Sequence, residues 1–506
     1  MKIWLDTTPA GQSGDNQYRG GKECDNECDN ECFRNSDHFQ NIELPLSEDD
    51  FQCIHKSALK QATPLHIQEC VQDRWLVCNP TGLGYVTVLD AEAHILLEQF
   101  RTSRSLASVM PAMVGASPER IEGTVALLYK AGLLQHNGQT PVRHEEGKAQ
   151  SLSAWLHVTN ACNLRCHYCY LEKTTERMAE DTAHRSVDAI FRSAVKHHFK
   201  HIRLRYAGGE ASLHMASVIA LHDYAAQLAR QHAITLHASL LSNGVVLSQS
   251  AIEQLQARHI GVMISLDGIG RYHDSQRPFI HGQESFQYVD RTITRLLANE
   301  LVPHISVTVS QRNLSGLKDL LAYILEHNMA FTLNYYRDNN CATDDDLQFG
   351  EQQMIDAMHS LFEWLEHKLP ARRLLDSFID KSNLSSPHQR TCGVGQNYLV
   401  IDQRGGIAKC HADIKRTVTT IEADDPLQLI RDDRSGVQGL AVEEKEGCRT
   451  CDWRYWCTGG CPLLTYRVTG RFDVKSPNCT IYTALFPEVL RLEALRLLKY
   501  ANPIIL

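Results

Sequence analysis

Long apolar runs are missing from this chain of 506 residues: none is long enough to cross a bilayer. The first 20 residues also lack the apolar centre of a secretory signal. Basic charge is scarce. There are 51 Lys and Arg against 60 Asp and Glu, a formal net charge of −9, which argues against the basic surface a nucleic-acid partner requires. These absences predict a cytoplasmic chain that engages neither membrane nor nucleic acid. The hydrophobic content of 43% and charged content of 22% are ordinary for a globular protein, and the length suggests several domains. Cysteine, by contrast, is plentiful. Seventeen cysteines in a compartment that keeps thiols reduced point to metal or redox chemistry rather than to disulfides.

Three of them sit in Cys162-Asn-Leu-Arg-Cys166-His-Tyr-Cys169, directly after the apolar run Trp155 to Val158. A closed structural zinc site wants four ligands. A four-iron cube also wants four, so three thiolates leave one iron free to chelate a small molecule. The spacing alone does not choose between the metals.

Residues 1–45 read as a mobile polar tail. It contains a repeat, Glu23-Cys24-Asp25-Asn26, Glu27-Cys28-Asp29-Asn30, Glu31-Cys32. The plain reading is a disordered acidic tail; the sharper ones are an extra metal contact or a substrate-like segment carried on the enzyme. Residues 62–138 read as strands at 65–71, 75–78 and 85–89, then helices at 90–100, 104–112 and 118–131. Ser117-Pro118 opens the last helix and Gly132 closes it. Cys53, Cys70 and Cys78 read as small core hydrophobes. A linker follows at 139–152. Strands at 154–159, 202–206, 234–241, 262–266, 304–309 and 331–335 then alternate with helical stretches. Six strand–helix units predict parallel strands with right-handed crossovers, an α/β partial barrel over 153–340. In such barrels the chemistry lies at the C-terminal strand ends. The three cysteines, Gly208-Gly209-Glu210, Ser242-Asn243-Gly244 and Ser265-Leu266-Asp267-Gly268 all fall there. A polar helical connector is expected at 341–385 and a C-terminal helix at 483–506.

Between these, over 386–482, the cysteines return as Cys392 and Cys410, then Cys448-x2-Cys451-x5-Cys457-x3-Cys461, then Cys479. Val400 to Ile407 reads as a hairpin between the first two.

Cys162, Cys166 and Cys169, with Tyr168 before the last, resemble the signature of the radical S-adenosylmethionine (SAM) superfamily, and the seven later cysteines resemble its SPASM extension. The resemblance implies a [4Fe–4S] cluster on Cys162, Cys166 and Cys169, with SAM on its open iron. It implies SAM contacts at Tyr168, Gly208, Gly209, Glu210, Asn243, Ser265 and Arg277. It also implies two auxiliary clusters, one on Cys448, Cys451, Cys457 and Cys479. The other would use Cys392, Cys410 and Cys461 with an unassigned fourth ligand, for which Cys341, the tail cysteines, a non-cysteine ligand or substrate remain open. The 62–138 elements resemble the PqqD-like winged-helix domain, in which a leader peptide adds a strand beside the third strand.

Together these resemblances imply a peptide maturase. A one-electron donor such as flavodoxin or ferredoxin would feed cleavage of SAM to a 5′-deoxyadenosyl radical. That radical would take a hydrogen from a ribosomally made precursor peptide, and a thioether, C–C or ether crosslink would follow. Sulfatase maturases share the architecture but carry an acidic residue where His411 stands here. A non-catalytic iron–sulfur electron carrier would need the cysteines but not Gly208-Gly209-Glu210. Glu172, Tyr335 and Asp338 are expected on rim loops near substrate.

Overall fold

The computed structural model describes residues 1–6, 46–137, 149–339, 341–342 and 344–505. The Cys24–Cys28–Cys32 repeat and most of the expected linker lie outside the described residues.

The N-terminal unit has strands β1 (Lys2–Leu5), β2 (Leu59–Gln61), β3 (His66–Val71), β4 (Arg74–Cys78), β5 (Thr87–Asp90) and β6 (Leu134–His136). Its helices include Ala91–Glu98 and Pro118–Lys130. The Ser117 hydroxyl accepts from Arg120 N and Pro118 takes the first turn, the cap the sequence predicts. β3, β4 and β5 form an antiparallel meander, and β2 pairs with β6 as a separate two-stranded ribbon. Cys78 is buried in this region, while Cys53 and Cys70 are half-buried.

Two expectations are corrected here. Lys2–Leu5 is not tail: it pairs with β5, Ile3 opposite Leu89 and Leu5 opposite Thr87. The edge beside the third strand, where an incoming peptide was expected, is thus filled by this chain. Ile3, Trp4 and Leu5 are buried there, so apolar burial and strand pairing outweigh the loss of chain freedom. Nor is the C-terminus purely helical. The helix Cys479–Tyr500 is followed by β16 (Ile504–Ile505), which pairs with β1.

The barrel strands are β7 (Ser151–Thr159), β8 (His201–Gly208), β9 (Thr235–Ser242), β10 (Ile260–Ser265), β11 (His304–Val309) and β12 (Phe331–Tyr335). They lie side by side in chain order, all parallel, as βαβ units require. β7 is buried along all nine residues, as a strand covered on both faces must be. It takes in Ser151 and Leu152 from the expected linker. The helix Glu180–Lys196 turns Val187, Ile190, Phe191 and Ala194 onto the sheet, the spacing of one helical face.

The cysteine-rich region is not a separate sheet. β13 (Tyr398–Ile401) pairs in parallel with the open edge of β7, and β14 (Gly406–Ala408) and β15 (Thr417–Thr420) continue outward, giving nine strands. A partial barrel leaves an unpaired edge, and this segment covers it. The expected polar connector is amphipathic instead. Helix Glu351–Glu366 buries Met354, Met358, Leu361, Phe362 and Leu365 and packs against Cys479–Tyr500.

Candidate active site

The loop after β7 carries Cys162, Cys166 and Cys169, all half-buried thiols. Arg165 N and His167 N donate to the Pro278 and Gln276 carbonyls at 2.8 and 3.0 Å, and Cys169 N closes a turn on the Cys166 carbonyl at 3.1 Å. Burial pushes the Cys166 thiol up to about 12; Arg277 opposes this, while Cys169 and Cys162 add to it. Lys173, four residues past Cys169, hydrogen-bonds that sulfur. Burial alone would depress its ammonium, but thiolate charge on Cys169, Cys162 and Cys166 reverses the sign and raises it.

Gly208-Gly209-Glu210 lies directly against this loop. Gly209 N donates to the Thr159 carbonyl at 2.7 Å and Glu210 N to the Ala161 carbonyl at 2.8 Å. A Cβ on Gly208 would stand 2.4 Å from Thr159 O, and one on Gly209 2.4 Å from Ala161 O. The glycines therefore allow one backbone to approach another. Glu210 is 2% exposed. Its Oε2 accepts from Asn243 N at 2.6 Å, and its Oε1 from Ser242 Oγ at 2.9 Å and Ser212 N at 3.0 Å. Asn243 Nδ2 in turn donates to Asn163 Oδ1 at 2.8 Å and reaches Cys162 Sγ at 3.8 Å. The Glu210 carboxylate thus ties two strand-end loops together, and the Asn243 amide ties in the third.

Beneath the cysteine loop sits a second knot. Asp267 is fully buried and accepts from Tyr168 Oη at 2.6 Å, Arg277 Nε at 2.7 Å and Thr308 N at 2.8 Å. The Arg277 guanidinium lies 5.3 Å from the Tyr168 ring centre, a cation–π contact. Asp267 holds the charge of Arg277, and Ser265 closes β10 half-buried nearby. Sequence reasoning missed the roles of Lys173 and Asp267. Their signal was position: a lysine just after the last cysteine, and an acid in the Ser-Leu-Asp-Gly strand end.

The later cysteines gather as two groups. Burial first, and then the charge of neighbouring thiols with Cys451 among them, raises Cys448 to about 11, Cys457 to about 12 and Cys479 as well, which places these four cysteines close together. Cys392, Cys410 and Cys461 share a cluster with Trp155, Tyr398 and Val400. Cys341 is exposed. His411 stacks on Trp155 at 4.6 Å and meets Tyr398 Oη at 3.2 Å. Of the expected rim residues, Glu172 pairs with Lys415 at 2.9 Å and Asp338 accepts from Gln348 at 2.6 Å. Tyr335 ends β12 opposite Val309, the last residue of β11, and is buried at 1% exposure.

Among the described residues no three His, Cys, Asp or Glu side chains converge as they would on one metal ion. The donor set is soft sulfur throughout, which suits iron–sulfur ligation. The cation of Lys173 beside the first group suits a negatively charged assembly.

Residues 156–323 match the family model described as Radical SAM superfamily. The antilisterial bacteriocin subtilosin biosynthesis protein AlbA of Bacillus subtilis (strain 168) is 24% identical over 273 residues, 51% of this chain. The chain spans 54% of that relative's length. The cysteine-type anaerobic sulfatase-maturating enzyme of Clostridium perfringens (strain ATCC 13124) is 21% identical over 370 residues, 69% of this chain and 97% of that one. A solved structure described as native anSMEcpe with bound AdoMet and Cp18Cys peptide shares the fold, with a TM-score of 0.54 at 18% identity. It covers 67% of this chain and 98% of its own. No helix among the described residues is long and apolar enough to cross a membrane.

Proposed function

We infer that this chain, an enzyme carrying a radical SAM domain, modifies a ribosomally made precursor peptide by oxidative crosslinking. The observation that carries the reading is the joint between the three-thiol loop and Gly208-Gly209-Glu210, made by two backbone hydrogen bonds and the Glu210 clamp. A mere electron carrier would not need that second loop.

Cys162, Cys166 and Cys169 would hold a [4Fe–4S] cluster, and SAM bound there supplies a carbon radical after one-electron cleavage. The chain's own residues would do the positioning. Glu210 and Asn243 keep the strand ends in register, and Tyr168 and Arg277, pinned by Asp267, support the cysteine loop from below. Tyr168, Gly208, Gly209, Glu210, Asn243, Ser265 and Arg277 are the assigned SAM neighbours. Cys392, Cys410 and Cys461, and Cys448, Cys451, Cys457 and Cys479, are assigned as the residues that would hold two auxiliary clusters, whose chemistry would be to accept one electron from the oxidised substrate. The N-terminal meander resembles a PqqD-like domain and is assigned to the leader segment of the peptide. With the β5 edge filled by β1, docking falls to another face. A small electron-transfer protein supplies the first electron.

A second reading has one observation behind it: the sulfatase-maturating relative aligns over 97% of its own length. Against it, the place of the acidic residue is held by His411, stacked flat on Trp155.

Anaerobic incubation with reductant and SAM should yield 5′-deoxyadenosine; its absence would leave an electron carrier. Co-expression with candidate peptides should lower peptide mass by two hydrogens per crosslink. A formylglycine product on a sulfatase-type peptide would favour the second reading.

A further inference from the structure

Lys409 and Lys445 are buried lysines, 4% and 2% exposed. Their surroundings differ. Lys409 Nζ lies 2.7 Å from Asp433 Oδ2 and donates to the Asp433 and Ser435 carbonyls at 2.6 and 2.9 Å. This is the paired state a buried charge needs. Lys445 Nζ donates to the Thr458 carbonyl at 2.6 Å, and no carboxylate pairs with it among the described residues. A buried ammonium whose hydrogen-bond partner is neutral is unfavourable unless negative charge faces it.

What faces it is sulfur. Burial pulls the Lys445 ammonium below its ordinary pKa, and the groups that oppose this are Cys448, Cys392, Cys457 and Cys461, two from each of the assigned auxiliary sets. A Cβ on Gly459 would stand 3.1 Å from Lys445 Nζ and 3.3 Å from Cys448 Sγ, so the ammonium and that sulfur flank one glycine. The backbone fixes the arrangement. The Lys445 carbonyl accepts from Cys448 N and Arg449 N, both at 3.1 Å, and so starts the turn that presents Cys448. Thr458 lies between Cys457 and Cys461 in the left-handed region, φ 46°. Thr391 Oγ1, next to Cys392, bonds Thr458 Oγ1 at 2.9 Å and the Gly460 carbonyl at 2.8 Å. The carbonyl that holds Lys445 is therefore part of a joint between both sets.

We propose that Lys445 is a positioning residue: a fixed positive charge lodged between the two auxiliary iron–sulfur clusters, raising the affinity of both for electrons. It rests on the reading of the seven later cysteines as cluster ligands. A reduced cluster is more negative than an oxidised one, so a cation at fixed short range favours reduction, and charge and hydrogen bonding set such potentials. In a chain that oxidises its substrate, this helps the clusters accept the electron the substrate releases.

The test uses the full chain, reconstituted anaerobically, with Lys445→Gln, Lys445→Met and Lys445→Arg. Iron and sulfide are counted and each cluster's midpoint potential is read by EPR-monitored titration. Wild-type iron equal to a single cluster would bring down the ligand reading itself. With wild-type iron at three clusters, Lys445→Gln and Lys445→Met should shift the auxiliary potentials negative and leave the cluster on Cys162, Cys166 and Cys169 unmoved. Lys445→Arg should stay near wild type. Loss of auxiliary iron in the neutral variants, with retention in Lys445→Arg, also supports the proposal, since charge is then what matters. Full iron with unmoved potentials in Lys445→Gln would overturn it. So would loss of auxiliary iron in Lys445→Arg as well, which would mark a packing role.

Discussion

Adding one methyl group at Gly209 should separate the two loops on which the site depends. The new carbon would stand 2.4 Å from Ala161 O and 2.6 Å from Asn160 O. Both are backbone atoms of the cysteine loop and cannot swing aside, so the Gly208-Gly209-Glu210 loop must lift. Lifting it breaks Gly209 N to Thr159 O and Glu210 N to Ala161 O, about 1 kcal/mol each. Overpacking adds about 1–3 kcal/mol. Gly209→Ala should therefore destabilise the barrel by about 3–5 kcal/mol, read as a lower denaturant midpoint of its unfolding transition. Glu210 shifts with the loop, so Asn243 loses its 2.6 Å backbone bond and SAM binding, measured by equilibrium dialysis, should fall in parallel. Gly350→Ala is the control: the added carbon meets nothing nearer than 3.8 Å, and the change should stay under about 1 kcal/mol. Gly209→Ala within about 1 kcal/mol of wild type, with SAM binding intact, would refute the close-approach argument.

Asp267→Ala leaves Arg277 buried without its counter-charge and should cost about 3–5 kcal/mol; adding Arg277→Met should recover part of it in the same denaturation assay. Burial holds the His273 imidazole well below its ordinary pKa of 6.5. The unfolded chain then takes up the proton first, so this contribution is fully present above about pH 6.5 and is lost as pH falls below it. His273→Gln should make the fall in stability between about pH 6.5 and 5 shallower, and an unchanged slope would dismiss His273 as its source. In the chain stripped of metal, iodoacetamide at neutral pH should label exposed Cys341 well before Cys166, Cys448 and Cys457, whose thiols are pushed to about 12, 11 and 12, because the thiolate is the nucleophile. Mass spectrometry at timed intervals gives the order, and early labelling of Cys166 would contradict its burial.

Much of the barrel was legible because its signals are local. Alternating apolar runs and helical faces record each strand and helix in its own residues, and short loops leave neighbours in the sheet in chain order. The cysteine spacings are local too: Cys162, Cys166 and Cys169 share one loop, and Cys448 to Cys461 span one knuckle. The Ser117 cap was readable from two residues. β1 was not, since four residues carry too little pattern and Lys2–Leu5 becomes a strand only because β5 and β16 flank it. The helix Glu351–Glu366 was misread as polar because its buried stripe is interleaved with charge.

Residue order by itself therefore determined which side chains are available for chemistry and at which strand ends they emerge, because bonding along the chain sets those positions. Only tertiary structure decided what they face. Glu210 meets Ser242 and Asn243 from another strand end, Asp267 meets Arg277 and Tyr168, β13 covers the bare edge of β7, and Lys445 comes to rest among four thiols. Most of those meetings cross from one loop or strand to another. Their energies come from burial and from charge brought together in a medium of low polarity, and neither exists until the chain has closed on itself.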